Sequence, residues 1–403
     1  MSVIKRIPIS ELKIGMYIAD ISNEWIPDTN LRRHGLIKRD AAIEQIRQLG
    51  VTDVYIDVDK GADSARGIRV EELNQRLNDQ LGEIQKLSPQ QDTHTSIAEE
   101  TSPAARIHSE ALCMVSRIME DVKMGAAIKL QPIEDMADSV TESLRRNASA
   151  LSCLTRLRHK DEYLIEHSFS VAVLMGILAR SMGFNNDDLH QVVTGAFLHD
   201  IGKIRVPDEV LNKPGTLQPE EWEEMKRHVQ YGEEALAQTV GVSSTVRQIC
   251  AQHHERLDGS GYPRGLSQQS IVQQARMTAI VDVYDAITAE RCYHNAITPT
   301  QAMKKLLEWS ERHLDRNITY QFIACMSIYP AGSLVELSNG DVGIVVEPNL
   351  RTQHQPVIQV VYNIKQGKRV APHSLNLALS TVKEKILRAV DPGQFGIDLQ
   401  NYL

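Results

Sequence analysis

A series of histidines and aspartates recurs through the middle of this chain and restricts how it can fold. Between Ala104 and Ile328, apolar residues fall at the spacing of amphipathic helices, and successive groups of the series are 25 to 32 residues apart. Such an interval holds one helix and one loop. The series consists of His167, His199, Asp200, His228, His253, His254 and Asp282. We therefore expect a helical domain that brings these side chains together.

The residue types in this series are those of a site for divalent metal ions. Imidazole nitrogens and carboxylate oxygens suit iron, manganese, zinc and related ions. Two such ions about 4 Å apart can hold both the entering and the leaving oxygen of an in-line phosphoryl displacement. A single His-Asp pair is common at ordinary helix ends, whereas the repeated pattern predicts a metal site.

Two segments beside the predicted ligands indicate where a phosphate would bind. Lys203 lies about one helical turn beyond His199-Asp200, where its ammonium could reach a phosphate held by the metals. Residues 253–266 read His-His-Glu-Arg-Leu-Asp-Gly-Ser-Gly-Tyr-Pro-Arg-Gly-Leu. The glycines of this loop allow close backbone approach, and Pro263 stiffens it. Tyr262 either contacts a bound ligand or packs the loop.

The N-terminal part of the chain predicts a small α+β domain over residues 1–60. Hydrophobic patterns favour strands and one helix, at Val3–Ile7, Tyr17–Ile21, Arg39–Leu49 and Val54–Val58. Residues 61–103 are predicted to hold a polar helix, Arg69–Leu87, followed by a flexible linker rich in Ser, Thr, Gln and Pro that ends at Pro103.

The helical domain is predicted to cover residues 104–329 and a β-rich appendage to cover residues 330–403. In the appendage, Asn339-Gly340 is a strong hairpin signal between two strands, and a third strand follows. The predicted strands are Ser333–Leu337, Val342–Val346 and Val357–Tyr362. The fold class is therefore mainly α, with a small domain at each end.

Net charge restricts the partners that the chain can have. The formal charge of −8 and the isoelectric point near 6.0 give no attraction for a nucleic acid polymer or an anionic membrane. An anionic substrate must then be met by local positive charge. The candidates are Lys203, Arg205, Lys213, Arg264 and Arg291, although Arg205, Lys213 and Arg264 also fit ordinary solvent-exposed positions.

Cysteine usage and the N-terminal sequence predict a cytoplasmic protein. The five cysteines are scattered and form no CxxC pair, which is typical of reduced thiols. No basic segment followed by an apolar run marks a signal peptide. The richest apolar stretch, Val171 to Ala179, is too short to cross a bilayer.

The motifs together resemble the HD-GYP subfamily of HD-domain phosphohydrolases. The likeness runs from about residue 160 to residue 332 and rests on separate motifs in order: His199-Asp200-Ile201-Gly202-Lys203, His253-His254-Glu255, Asp258-Gly259-Ser260-Gly261-Tyr262-Pro263 and Asp282-Val283-Tyr284-Asp285-Ala286. The segment Leu12-Lys13-Ile14-Gly15-Met16-Tyr17 is similar to a small domain often found ahead of HD-GYP modules.

The resemblance implies roles for individual residues. It implies that His167, His199, Asp200, His228, His253, His254 and Asp282 ligate two metals, with Asp200 bridging them. Lys203 and Arg291 would bind substrate phosphates, with Tyr262 and Arg264 as further candidates for substrate contact. Asp200 and Lys203 are the residues predicted to act in catalysis.

Two positions depart from the family pattern. Some relatives hold a third metal through a Glu one turn before the first His, and that position is Tyr163 here, flanked by Glu162 and Glu166. We therefore expect a two-metal centre. Relatives also carry a basic residue three positions beyond Arg291, where this chain has His294, which is largely neutral at pH 7.

The function that the resemblance implies is hydrolysis of the second messenger cyclic di-GMP. An activated water would attack phosphorus in line with the departing ribose 3′ oxygen, giving linear pGpG, with continuation to GMP left open. Iron and manganese are the expected metals, two per chain.

Two alternatives remain open from the sequence. The substrate could be another cyclic dinucleotide, such as cyclic GMP-AMP, or a nucleotide monophosphate. The chain could also be a receptor that binds the messenger without hydrolysing it. The N-terminal domain and the Asn339-Gly340 hairpin are candidate surfaces for other signalling proteins. Their structural alternative is to cover the catalytic domain or to aid formation of a homodimer.

Overall fold

The computed structural model of the protein describes residues 2–21, 34–48, 51–86, 95–156, 163–215, 217–289, 296–349, 352–390 and 392–397. The chain divides into two compact units. The first comprises residues 1–82 and 208–224, and the second comprises residues 83–207 and 225–403. The chain thus leaves the second unit after Pro207 and returns to it at Met225.

The first unit is built around a five-stranded antiparallel sheet. Its strands follow the order β3-β2-β4-β1-β5, and the inward residues of the strands and of α1 share one apolar core that includes Ile7, Ile18, Ile43, Val54 and Ile56. The elements are β1 (Ile4–Pro8), β2 (Tyr17–Ile21), β3 (Gly35–Leu36), α1 (Asp40–Gln48), β4 (Asp53–Asp57), β5 (Ile68–Arg69) and α2 (Val70–Gln85). The α+β character predicted for the N-terminal residues is confirmed.

The second unit is mainly helical, as the sequence predicts. The helices from Ile97 onward are α3 (Ile97–Lys123), α4 (Leu130–Leu154), α5 (Tyr163–Ser181), α6 (Asn186–Leu198), α7 (Asp208–Leu211), α8 (Pro219–Lys226), α9 (His228–Ala237), α10 (Ser244–Gln252), α11 (Gln273–Thr288), α12 (Pro299–Trp309) and α13 (Arg316–Cys325). Of these, α7 and most of α8 fall in the first unit.

Helix α5 is the core of the helical unit. Every residue from Glu166 to Ala179 is buried, and α5 contacts α3, α4, α6, α11 and α13. At 19 residues it is longer than the apolar stretch visible in the sequence, and its length and composition would allow it to cross a membrane. However, 78% of its most apolar window is buried inside the unit, as expected of a core helix.

Helix α3 begins inside the segment that the sequence predicts to be a linker. It starts at Ile97, so that Pro103 lies within the helix. The Ser96 hydroxyl accepts a hydrogen bond from the Glu99 backbone N–H, and the Glu99 carboxylate accepts one from the Ser96 N–H. The linker prediction is therefore wrong from Ile97 to Pro103, because this capping box starts the helix despite its Ser- and Pro-containing sequence.

A buried ion pair joins α3 to α4. The carboxylate of Glu100 is 2% exposed and accepts hydrogen bonds from the Ser143 hydroxyl at 2.7 Å and from two nitrogens of Arg146 at 2.7 and 2.8 Å. Such a buried charge is tolerated only when its partners are all in place, so these contacts fix the register of the two helices.

The C-terminal residues form a second five-stranded antiparallel sheet, in the order β10-β6-β7-β8-β9. The strands are β6 (Leu334–Leu337), β7 (Asp341–Glu347), β8 (Val357–Asn363), β9 (Lys368–Asn376) and β10 (Ile386–Ala389). The β-rich nature of this region is confirmed. Strands β9 and β10 were not predicted, because their side chains are mostly exposed and show no apolar alternation.

A glycine allows the close backbone contact that positions part of the histidine–aspartate series. After α6, a 3₁₀ helix spans Ile201–Arg205 and packs on α9. A Cβ atom on Gly202 would lie 2.0 Å from the carbonyl oxygen of His228 and 2.4 Å from the amide nitrogen of Gly232. Because Gly202 has no side chain, Asp200 and His228 can lie side by side.

Substituting Gly202 by Ala should destabilise the helical unit. The added methyl meets backbone atoms that cannot rotate away, so we expect the free energy of unfolding to fall by about 3 kcal/mol, measured by denaturant titration. The control is Gly82→Ala on α2, where an added Cβ meets no atom within 4 Å and should stabilise the chain slightly. Equal stability of the Gly202→Ala variant and the wild type would contradict this packing.

Candidate metal centre

The seven predicted ligands converge on one buried region of the helical unit. His167 and Asp282 lie within α5 and α11, whereas the other five lie at helix ends. His199 caps the C-terminus of α6 and is followed by Asp200, His228 begins α9, and His253 caps α10 and is followed by His254. All are at most 6% exposed except His254, whose side chain is 14% exposed.

The carboxylate of Asp200 lies between two pairs of imidazoles. Its Oδ2 is 3.3 Å from Nε2 of His167 and 3.3 Å from Nε2 of His199. Its Oδ1 is 3.3 Å from Nε2 of His228 and 3.5 Å from Nε2 of His253. The two oxygens of one carboxylate therefore face two different sets of histidines.

These spacings are those of atoms that share a metal ion. Two ligands that are each about 2.1 Å from an ion stand roughly 3.0 to 3.4 Å apart at octahedral or tetrahedral angles. The ligand atoms fall into two groups in which every atom lies within 4.8 Å of the others. One group is Asp200, His228, His253 and His254, and the other is His167, His199 and Asp282.

Buried polar atoms at this centre lack hydrogen-bond partners among the described residues. They are Nε2 of His167, Nε2 of His199 and Oδ1 of Asp200. A buried polar group without a partner costs free energy, and a divalent cation between these atoms would remove that cost. The residues therefore fit a pair of metal ions by atom type, spacing and burial.

The hydrogen bonds behind the imidazoles fix which nitrogen is available to a metal. Nδ1 of His199, of His228 and of His253 lies 2.7 to 2.8 Å from the backbone carbonyl oxygen of the residue three positions earlier. A carbonyl can only accept, so each Nδ1 donates. In a neutral ring the other nitrogen, Nε2, then presents its lone pair to the centre of the site.

Burial and neighbouring charges shift the pKa values of several of these ligands. Burial lowers the pKa of His228 to about 3 and also lowers the pKa of His254, so both imidazoles are neutral at pH 7. Burial raises the pKa of Asp200, but Lys203 and His199 outweigh it and hold that pKa well below the ordinary value. Asp282 is ionised for the same reason, through His167.

Lys203 lies against this centre, as its predicted role requires. Its Nζ donates a hydrogen bond to Oδ2 of Asp200, and its side chain is 17% exposed. Burial lowers the pKa of Lys203, but the charge of Asp200 outweighs burial and raises it, so the ammonium stays charged. A fixed positive charge thus stands next to the shared carboxylate.

The Gly-Tyr-Pro loop follows directly from His254 and folds back onto it. The Tyr262 ring stacks on the His254 imidazole with centroids 4.6 Å apart, and the Tyr262 N–H donates to the His254 carbonyl oxygen at 3.2 Å. A Cβ on Gly261 would lie 2.4 Å from the Arg256 amide nitrogen, so the loop needs glycine there. Tyr262 is therefore held at the edge of the metal ligands.

The remaining basic residues predicted near the substrate are placed as follows. Arg264 donates a hydrogen bond to Glu233, and Arg205 donates one to Glu234 at 2.7 Å while its guanidinium stacks over Tyr231. Lys213 belongs to the first unit, where it bonds Glu221 at 2.6 Å. Arg291 and His294 lie outside the described residues.

Tyr163 and Glu166 are the described residues at the position discussed for a third metal, and Glu162 lies outside the described residues. The Tyr163 ring stacks on His167 at 5.6 Å between centroids. Glu166 is buried, and one of its carboxylate oxygens lies 3.9 Å from Nε2 of His108. Among the described residues, Glu166 belongs to neither of the two ligand groups.

Two residues of the motifs, Asp285 and Glu255, support the site, although the sequence analysis assigned them no role. Oδ2 of Asp285 lies 2.7 Å from Nδ1 of His167. The buried carboxylate of Glu255 accepts backbone hydrogen bonds from Arg264 and Leu266, both at 2.8 Å, and so closes the loop at its base. Asp285 is three positions after Asp282, so the two lie on one helix face. This spacing could have indicated from the sequence that Asp285 lies near the ligands.

Comparison with known proteins agrees with this geometry. Residues 134–318 match the HD domain family, and residues 4–133 match a domain of unknown function, DUF3391. "Cyclic di-GMP phosphodiesterase PA4108" of Pseudomonas aeruginosa is 33% identical over 386 residues, which cover 96% of this chain and 92% of that protein.

Other relatives match a smaller part of the chain. "Cyclic di-GMP phosphodiesterase response regulator RpfG" of Xanthomonas campestris is 36% identical, over 44% of this chain and 47% of that protein. "3'3'-cGAMP-specific phosphodiesterase 2" of Vibrio cholerae is 37% identical, over 37% of this chain and 29% of that protein.

The fold and the paired histidine–aspartate groups define an HD-domain phosphohydrolase. Because the similarity to PA4108 extends along nearly all of both chains, this chain belongs to the HD-GYP subfamily.

Substituting Glu255 by Gln should loosen the Gly-Tyr-Pro loop. The amide of Gln cannot accept both backbone hydrogen bonds, so the N–H groups of Arg264 and Leu266 should exchange with solvent roughly tenfold faster or more, measured by hydrogen–deuterium exchange. The control is Glu233→Ala, which removes only the side-chain partner of Arg264. If the Glu255→Gln variant exchanges at the wild-type rate, Glu255 does not hold the loop.

Proposed function

We propose that the protein is a metal-dependent phosphodiesterase that hydrolyses cyclic di-GMP to linear pGpG. The observation that carries this proposal is the Asp200 carboxylate, whose two oxygens face two separate histidine pairs at 3.3 to 3.5 Å. Hydrolysis of pGpG to GMP is a second step, which the assay below measures separately.

The proposed centre takes two divalent ions, iron or manganese, with Asp200 shared between them. Oδ1 of Asp200 would join His228, His253 and His254, and Oδ2 would join His167, His199 and Asp282. When bound, the ions supply Lewis-acid stabilisation of the phosphate and lower the pKa of a coordinated water. A mixed nitrogen and oxygen ligand set suits both metals.

The reaction transfers a phosphoryl group to water. The bond between phosphorus and the ribose 3′ oxygen breaks, the water oxygen becomes bonded to phosphorus, and the 3′ oxygen leaves with a proton. Lys203 would offset negative charge on the non-bridging phosphate oxygens, because its ammonium already lies beside Asp200. Because the chain has a net negative charge, an anionic substrate needs local positive charge in order to bind, and Lys203 provides it.

Substrate contacts are proposed for Tyr262, Arg264 and Arg291 in addition to Lys203. Tyr262 is stacked on a metal ligand and presents an aromatic ring next to the centre, where a guanine could stack. To contact a phosphate, Arg264 would exchange Glu233 for the substrate.

We also propose that the protein acts in the cytoplasm. Cys153, Cys250 and Cys325 are buried free thiols, which fits a reducing compartment. Other signalling proteins and a second copy of the chain are the partners proposed for its surfaces outside the centre.

Substituting His199 by Ala should abolish hydrolysis of cyclic di-GMP. Loss of one ligand disrupts the geometry of both metals. We therefore expect the rate of pGpG formation by the manganese- or iron(II)-loaded protein to fall at least about 100-fold, measured by chromatography of the products. The control is His190→Ala. His190 lies on α6, contacts Asp138 and belongs to neither ligand group.

Two results would contradict the proposed function. One is a fully metallated wild-type protein that forms neither pGpG nor GMP. The other is elemental analysis of folded protein, purified without chelator, that gives less than one metal ion per chain. Tight binding of cyclic di-GMP together with stoichiometric metal but no product would identify a receptor instead.

A second candidate substrate is a cyclic GMP-AMP dinucleotide. One observation favours it, since a relative that is 37% identical over 37% of this chain is named a 3'3'-cGAMP-specific phosphodiesterase. Matched initial rates with cyclic di-GMP, 3′3′-cGAMP and a nucleotide monophosphate, each measured alone and in competition, would separate the three substrates. We expect the highest kcat/KM for cyclic di-GMP, and a higher value for either other substrate would reverse this assignment.

A further inference from the structure

One imidazole of the centre is supported differently from its neighbours. Nδ1 of His199, of His228 and of His253 pairs with a backbone carbonyl oxygen. By contrast, Nδ1 of His167 lies 2.7 Å from a carboxylate oxygen of Asp285, and both side chains are at most 1% exposed. Of these four histidines, His167 is the one whose Nδ1 faces a carboxylate instead of a backbone carbonyl.

The position of His167 explains this difference. The three carbonyl-bound histidines lie at helix ends, where backbone carbonyls are not all used by the helix. His167 lies in the interior of α5, and the carbonyl three positions earlier, that of Leu164, already accepts a hydrogen bond from the Ser168 hydroxyl at 3.1 Å. The acceptor for Nδ1 must therefore come from another helix.

Helix α11 supplies that acceptor together with a metal ligand. Asp282 and Asp285 are three positions apart and lie on one face of α11. Oδ1 of Asp282 lies 3.2 Å from Nε2 of His167, while Asp285 contacts the opposite ring nitrogen. Two carboxylates thus lie at the two edges of the ring, which restricts its rotation.

We propose that Asp285 is a positioning residue that sets the affinity of one of the two metal sites, the one formed by His167, His199 and Asp282. This inference rests on the proposed two-metal function. A carboxylate acceptor holds the proton on Nδ1, leaves Nε2 free and makes the imidazole a stronger ligand. Asp285 contacts His167, which belongs to that site, whereas Asp200, His228, His253 and His254 form the other ligand group.

The experiment measures metal affinity rather than turnover. Chelator-treated wild type and the variants Asp285→Asn and Asp285→Ala are titrated with Mn²⁺ by isothermal calorimetry, and electron paramagnetic resonance follows the magnetically coupled Mn²⁺ pair. We expect one of the two affinities to fall about 10- to 100-fold in Asp285→Asn and further in Asp285→Ala, while the other stays at the wild-type value. At one Mn²⁺ per chain, the variants should bind a single uncoupled ion.

The control variant is Asp138→Asn. Asp138 also holds a histidine, since its Oδ1 lies 2.7 Å from Nδ1 of His190, but that pair lies outside the ligand groups. The Asp138→Asn variant should bind both ions with wild-type affinity.

The outcomes separate this inference from the function on which it rests. If the wild type binds two ions and Asp285→Asn binds both equally tightly, or loses both equally, the role given to Asp285 is wrong. If the wild type itself fails to bind two ions, the two-metal function is wrong. Should Asp285→Ala fail to fold, the nearly isosteric Asp285→Asn variant still decides the question.

Discussion

A single buried carboxylate sets the arrangement of the helical unit. Asp200 presents one oxygen to His167 and His199 and the other to His228 and His253. Removing so many polar atoms from water is costly unless positive charge is placed among them. Lys203 supplies part of that charge, and a pair of cations would supply the rest. The close packing at Gly202, the capping positions of the histidines and the buried α5 all serve to bring these atoms within reach of one another.

The fold could be predicted wherever a local pattern decides the structure. Strand Tyr17–Ile21 and the hairpin at Asn339-Gly340 follow from alternating apolar residues and turn chemistry. The start of α3 was missed because composition suggested a linker, although the Ser96–Glu99 capping box was readable in the sequence. Strand β9 could not be predicted, because it is held by backbone pairing with β8 and leaves most of its side chains in solvent.

The candidate site was predictable for a different reason. Its ligands are chemically distinctive and recur at helix-length intervals, so the set could be assembled without knowing how the helices pack. The supporting contacts could not be assembled in this way. Asp285 acts on a residue 118 positions away in the chain, and Glu255 acts on two backbone amides across a loop. Both depend on packing between elements, which no local pattern records.

The discontinuous first unit has a consequence for the evolution and engineering of this chain. Residues 208–224 group with residues 1–82, yet in the sequence they lie between Asp200 and His228. A gene fragment that begins after the N-terminal residues would therefore encode both flanking ligands but leave the segment between them without the unit with which it groups. Recombination that exchanges the leading domain must therefore also accommodate this inserted stretch.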